Sequence, residues 1–163
     1  MELWDAYDAD INIIEGVTLV RGEEASFPDD VFHLVCDILV RHTDGTYLLM
    51  QRDPRKSYGG MWEASAGGSA LKGETPVDAA RRELAEETGI IASELIEVGR
   101  IADTSKHSIY AEFLCITDWG KDKITLQDGE TVAYRWVSVD ELRSMSRDEL
   151  VTYRVQQFIE EFR

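Results

Sequence analysis

Glu83, Glu86 and Glu87 stand at positions i, i+3 and i+4. On a helix that spacing puts three carboxylates on one face. Three like charges repel there, and in the C-terminal half of a helix the dipole disfavours them further. Local stability does not select this arrangement. Hard divalent cations do, because Mg²⁺, Mn²⁺ and Ca²⁺ prefer carboxylate oxygens. Departures from local rules gather at functional sites. A solvated acidic face is the plain alternative for an isolated Glu-Glu pair. Here the pair has company. Gly67-Gly68 precede the segment, Glu74 sits just before its start, and Arg82 is placed to pair with Glu74 or Glu86. Val77, Ala80, Leu84 and Thr88 give the segment a face to bury, which turns the acids towards a cleft or solvent.

The stretch 68–90 resembles the signature of the Nudix hydrolases, Gx5Ex7REUxEExGU with U aliphatic. Every fixed position is matched, by Gly68, Glu74, Arg82, Glu83, Leu84, Glu86, Glu87, Gly89 and Ile90. The resemblance extends over roughly residues 30–160, with a strand–Asp44-Gly45–strand unit before the signature and the run YRWVSVDEL after it. It implies an α+β chain with the Nudix α/β/α sandwich, a mixed β-sheet and the Nudix loop-helix-loop. The implied activity is hydrolysis of a diphosphate linked to another moiety, often a nucleoside diphosphate derivative, with Mg²⁺ or Mn²⁺ as cofactor. Glu83, Glu86 and Glu87 match the family's metal-binding glutamates. Gly68 matches a position whose backbone carbonyl also reaches metal, and Arg82 and Glu74 match residues that orient the cluster. The general base varies in the family. Glu86 is one candidate, and Glu130, in LQDGETVAYRW, is the best placed acid outside the signature; solvation of the Asp128-Gly129 turn is its alternative reading.

The segments LWDAYD, RGE and FHLVCDILV are similar to the Nudix branch related to isopentenyl diphosphate isomerase. Those isomerases carry a catalytic Cys and a metal-binding His before the signature. Here Gly67 and Ser69 stand in those places, and neither supplies the chemistry. A Nudix-fold sensor that binds a nucleotide or metabolite with weak or no catalysis is the alternative from another class; the intact glutamates favour the enzyme.

Other residues carry weaker signals. Arg52, Arg55 and Lys56 in QRDPRKSYGG could meet a terminal phosphate, and Arg52 is the preferred substrate-binding candidate because it ends a strand beside the signature. His33, inside an apolar strand, reads as a hydrogen-bonded core histidine and His107 as a loop residue. Trp62 and Trp136 read as core or cleft wall.

The elements that must hold these residues follow from periodicity. Residues 1–30 read as a β-hairpin-like extension, with a strand at 17–21. Strands are expected at 31–41, 46–52, 61–66, 95–102, Ser108–Thr117 and 132–137. Asp44-Gly45 marks a hairpin. Thr75 caps the acidic helix, Pro76 suits its first position and Gly89 stops it. Ser138 with Glu141, and Ser146 with Glu149, are capping-box patterns. The segment 147–162, with Val151, Val155, Phe158 and Phe162 on one stripe, reads as an amphipathic helix.

The 163 residues fit one domain, 1–163, with a globular composition of 44% hydrophobic residues. A net charge of −15 argues against binding a nucleic acid polymer or an anionic membrane, but not against a small diphosphate held through metal. Cys36 and Cys115 sit in apolar runs and read as buried free thiols. The acidic N-terminus does not look like a signal peptide, so a cytoplasmic location is expected. The sequence leaves the oligomeric state, including a homodimer, open.

Overall fold

The computed structural model describes residues 1–152 and 154–161. Nine strands and three α-helices follow one another among those residues: β1 (Leu3–Tyr7), β2 (Ile13–Val20), β3 (His33–His42), β4 (Tyr47–Arg52), β5 (Trp62–Glu63), β6 (Ala66–Ser69), α1 (Pro76–Thr88), β7 (Ile96–Asp103), β8 (Ser108–Thr117), β9 (Thr131–Val137), α2 (Val139–Ser144) and α3 (Arg154–Glu161). No helix is long and apolar enough to cross a membrane.

β1 and β2 form an antiparallel pair of their own, over a small core of Trp4, Ala6, Leu19, Phe27 and Val31. The other seven strands form one mixed sheet in which β3 and β8 run parallel over ten residues. That parallel pair is buried on both faces, so its sequence is apolar almost throughout. Alternation decides the faces. Leu34, Cys36, Ile38 and Val40 of β3 and Ile109, Ala111, Phe113 and Cys115 of β8 pack with Ala79, Ala80 and Leu84 of α1. Leu39 and Leu114 turn the other way, against Leu142 of α2 and Val155, Phe158 and Ile159 of α3. The sheet is thus sandwiched between helices, as the α/β/α expectation requires. Both cysteines are free and buried, and burial pushes the Cys36 thiol up to about 12 and the Cys115 thiol up to about 11.

Two expectations change. The strand expected at 61–66 is broken into β5 and β6. β3 and β4 meet at Arg41 and Tyr47 and then part, β4 pairing with β5 and β9, and β3 with β6. Ser65 sits buried in the fork. Its hydroxyl donates to Leu48 O (2.7 Å) and accepts from Val40 N (2.8 Å), so it meets backbone groups that the parting strands leave open. The terminal helix is also shorter than 147–162. Trp62 N donates to Glu149 O (2.7 Å) and Val151 N to Trp62 O (2.9 Å), which draws 149–151 into extended pairing with β5. Helix α3 therefore begins at Arg154, and Val151 lies outside it. The Ser146 and Glu149 pattern closes a turn, with Ser146 N donating to Glu149 Oε2 (2.9 Å). Phe162 lies outside the described residues.

Candidate functional site

Helix α1 is built as its ends predict. Thr75 Oγ1 accepts from Asp78 N, Pro76 occupies the first turn, and Gly89 closes the helix at φ 78° with its N–H on Ala85 O (3.0 Å). The helix lies against β6, the glycine strand that continues from the fork.

That packing brings two of the three glutamates to the glycines. A Cβ on Gly68 would come 2.4 Å from the Glu83 carboxylate, so a side chain there would displace that carboxylate. Gly67 N points at Glu87 Oε1 from 3.5 Å, a weak contact. Glu87 is 8% exposed. Burial, then the charges of Glu83 and Glu63, push its carboxyl up to about 8. Burial also raises Glu83. Glu86 stands further out, with its Oε2 3.4 Å from Arg82 Nη1.

Arg82 is the organiser. Nε and Nη2 reach the two oxygens of Glu74 at 2.7 and 2.9 Å, Nη1 reaches Glu83 Oε1 at 2.6 Å, and Nη2 donates to Ser69 O at 3.1 Å. Glu74 also accepts from Leu71 N at 2.8 Å. The Arg82 guanidinium holds the Glu74 carboxyl below its usual range. One fork thereby ties the start of α1, the end of β6 and the acidic cluster together.

The outlying candidates divide. Glu130 lines the same open cleft as Gly68, Glu83 and Glu86, which also includes Arg21 and Gln127. Its carboxylate is paired with Lys56. Arg52 is committed elsewhere: Nη1 pairs with Glu63 at 2.8 Å and Nε donates to Ser57 O at 2.8 Å. Arg55 is held by Asp53 at 2.6 Å. His33 is buried with Nδ1 2.9 Å from His107 O, and His107 Nδ1 lies 3.0 Å from Val31 O, so both rings serve the fold.

Sequence reasoning missed Glu63, Asp37 and Glu112. Burial raises the carboxyls of Glu63 and Glu112. An acid embedded in an apolar strand, as in LVCDILV and AEFLC, was the available signal.

Among the described residues no three His, Cys, Asp or Glu side chains converge closely enough to hold an ion as they stand. The donor set nevertheless fits a hard cation. It is all oxygen, its two inner carboxylates meet Gly68 and Gly67, and the guanidinium beside them, that of Arg82, is shared with Glu74.

A glycine strand that backs a carboxylate-bearing helix across one face of a mixed sheet is the layout of the Nudix fold. The chain belongs to the Nudix family: residues 31–159 match the family model of the NUDIX domain. It is similar to the uncharacterised Nudix hydrolase lmo0368 of Listeria monocytogenes, 35% identical over 159 residues, covering 94% of this chain and 90% of that one. It is also similar to the nucleoside triphosphatase NudI of Salmonella newport, 32% identical over 120 residues, covering 67% of this chain and 83% of that one. Among solved structures, DR0079 of Deinococcus radiodurans superposes with a TM-score of 0.78 at 18% identity, over 99% of this chain and all of the other.

Proposed function

We propose that the protein is a Mg²⁺- or Mn²⁺-dependent pyrophosphohydrolase that cleaves the diphosphate linkage of a nucleoside diphosphate derivative or a related small molecule. The carrying observation is the half-buried Glu83 and the buried Glu87 beside Gly68 and Gly67, with Glu86 next to them. Unfolded from this arrangement the acids would ionise at their ordinary pKa. Holding them together is unfavourable unless a divalent cation relieves it.

Glu83, Glu86, Glu87 and the Gly68 carbonyl would hold the cation. Bound there, it offsets phosphate charge and lowers the pKa of the attacking water. Arg82 and Glu74 position Glu83 and keep the helix seated on β6. Glu130, across the cleft, takes the water's proton, with Lys56 holding its carboxylate in place; Glu86 is the substitute. Arg52 takes a phosphate only by exchanging its Glu63 partner. The kinship with a nucleoside triphosphatase supports a nucleotide substrate, and the net charge of −15 supports a small molecule over a nucleic acid polymer. At Gly67 a Cβ would meet Asp37 Oδ1 and Cys36 O at 2.9 Å, which speaks against a nucleophilic side chain there and so against the isomerase reaction.

The test is phosphate release from a panel of diphosphate compounds with Mg²⁺, with Mn²⁺ and with chelator, using Glu87→Gln as the control protein. Metal-dependent turnover that the variant loses supports the reading. A panel with no turnover transfers the site to a ligand-binding sensor.

A further inference from the structure

A cavity of ≈200 Å³ runs from the acidic cluster to the face of the sheet that α3 covers. Gly67, Gly68 and Glu87 line one end. Asp37 faces Gly67 across the β3–β6 pairing, and Glu112, its direct partner in the parallel pairing of β3 with β8, lies one strand further on. Alternation places both on the α3 side, since their neighbours Cys36, Ile38, Ala111 and Phe113 face α1.

The two acids differ in what they meet. Asp37 Oδ2 accepts from Arg154 Nη1 at 2.9 Å, and that guanidinium lies 3.7 Å above the Tyr110 ring. Glu112 is 7% exposed, and among the described residues no hydrogen bond or ion pair reaches it. Its oxygens are not sealed in the core; they open into the cavity, where a donor that enters can reach them. The hydrolytic cluster does not use this acid. Apolar walls from Val35, Leu39, Val155 and Phe158 complete the cavity. The result is a slot with an acceptor at its inner end, continuous with the place where phosphate would be cut.

We propose that this cavity seats the organic moiety of the substrate and that Glu112 is the specificity-determining residue, accepting a hydrogen bond from the amino group of a nucleobase. The assignment rests on the diphosphate-hydrolase reading, because phosphates held through a cation at Glu83 and Glu87 would deliver the rest of the molecule to the mouth of the cavity. An ionised carboxylate only accepts. It therefore matches the amino hydrogens of adenine, cytosine or guanine. It meets the carbonyl oxygen of uracil as a second acceptor, and it finds no amino group on hypoxanthine. The apolar walls suit a flat ring better than a sugar rich in hydroxyls.

The experiment compares CTP with UTP, GTP with ITP and ATP with ITP in turnover, and the corresponding nucleosides in equilibrium binding. Binding is read by calorimetry in chelator, with no phosphate for the acidic cluster to repel. The wild-type protein is expected to favour the amino member of at least one pair by about 10- to 100-fold. Glu112→Gln is expected to shrink that ratio to within about threefold while turnover of the keto member persists. Glu112→Asp, with the acceptor drawn back, should lie between them and serves if the amide variant fails to fold. Equal affinity within every pair, no nucleoside binding at all, or a preference that survives undiminished in the Glu112 variants overturns the assignment. Discrimination in binding without any hydrolysis keeps it and overturns the hydrolase reading instead.

Discussion

Exchanging the Glu87 carboxylate for an amide separates two roles of one side chain. It removes an oxygen ligand and a buried repulsive charge together. Glu87→Gln is expected to keep its fold and to lose about two orders of magnitude or more in turnover. Mg²⁺ should raise the Tm of the wild-type protein, through binding to the folded state alone, and raise that of the variant much less. A variant with near-wild-type turnover and an undiminished Mg²⁺ shift contradicts the site. For Glu130→Gln the expected loss is about 100-fold or more in kcat with the Mg²⁺ requirement little changed; an unaltered kcat gives the proton to Glu86. Residues of this kind differ in how openly they announce themselves. Glu74, Arg82, Glu83, Glu86 and Glu87 sit within one stretch, and helical spacing alone sets them side by side. Glu63 and Glu112 come to matter through neighbours distant in the chain, Arg52 for one and Asp37 for the other. No local pattern carries that. Arg52 shows the converse, a well-placed cation whose fork closes on Glu63.

At the level of elements, α1 is the piece whose ends decide the geometry of the site. Gly89 holds φ 78°, and a Cβ there would come 2.6 Å from Thr125 Oγ1. Gly89→Ala is therefore expected to destabilise the protein by about 1–3 kcal/mol, more than the conformational penalty of a left-handed residue alone. Thr75→Ala removes the cap acceptor for Asp78 N and should cost about 1 kcal/mol. Urea denaturation measures both, and a Gly89→Ala protein as stable as the wild type would refute the crowding. Helix ends were readable because capping is local chemistry. The Ser138 and Glu141 capping box likewise forms as its spacing requires, with Ser138 N on Glu141 Oε2 at 2.7 Å. The Ser146 and Glu149 pattern has the same letters and does not start a helix. Trp62 competes for the backbone of 149–151, and the outcome is set by a strand about ninety residues away along the chain.

For the molecule as a whole, the hairpin of β1 and β2 is joined to the main sheet through His33. Its ring stacks on Trp4 with centroids 4.1 Å apart, and Nδ1 donates to His107 O. Burial lowers its pKa below the ordinary 6.5, against smaller opposing effects from the His107 carbonyl, Glu24 and Glu2. The unfolded chain then binds the proton more readily than the folded one. The contribution of His33 is present above about pH 6.5 and is lost as pH falls through its lower folded pKa. The stability difference between wild type and His33→Gln should accordingly narrow from pH 7.5 to pH 5.5; a constant or widening difference contradicts the buried neutral imidazole. The sandwich itself was legible from strands mixed with a central and a terminal helix and from the resemblance carried by residues 68–90. The forking of the sheet was not, because it depends on one serine hydroxyl bridging two strands.

That fork has a consequence for how such a protein can change. An unbroken sheet would wall the cutting helix off from whatever lies behind it. Where β3 and β4 separate, Glu63, Ala64 and Ala66 line a cavity that opens between the two faces, so under the function proposed above one side would sever a bond while the other inspects what is attached. The two tasks then reside in different parts of the chain, α1 and β6 for the first, β8 and α3 for the second. New preferences can arise by exchanging residues behind the sheet while the blade in front stays as it is.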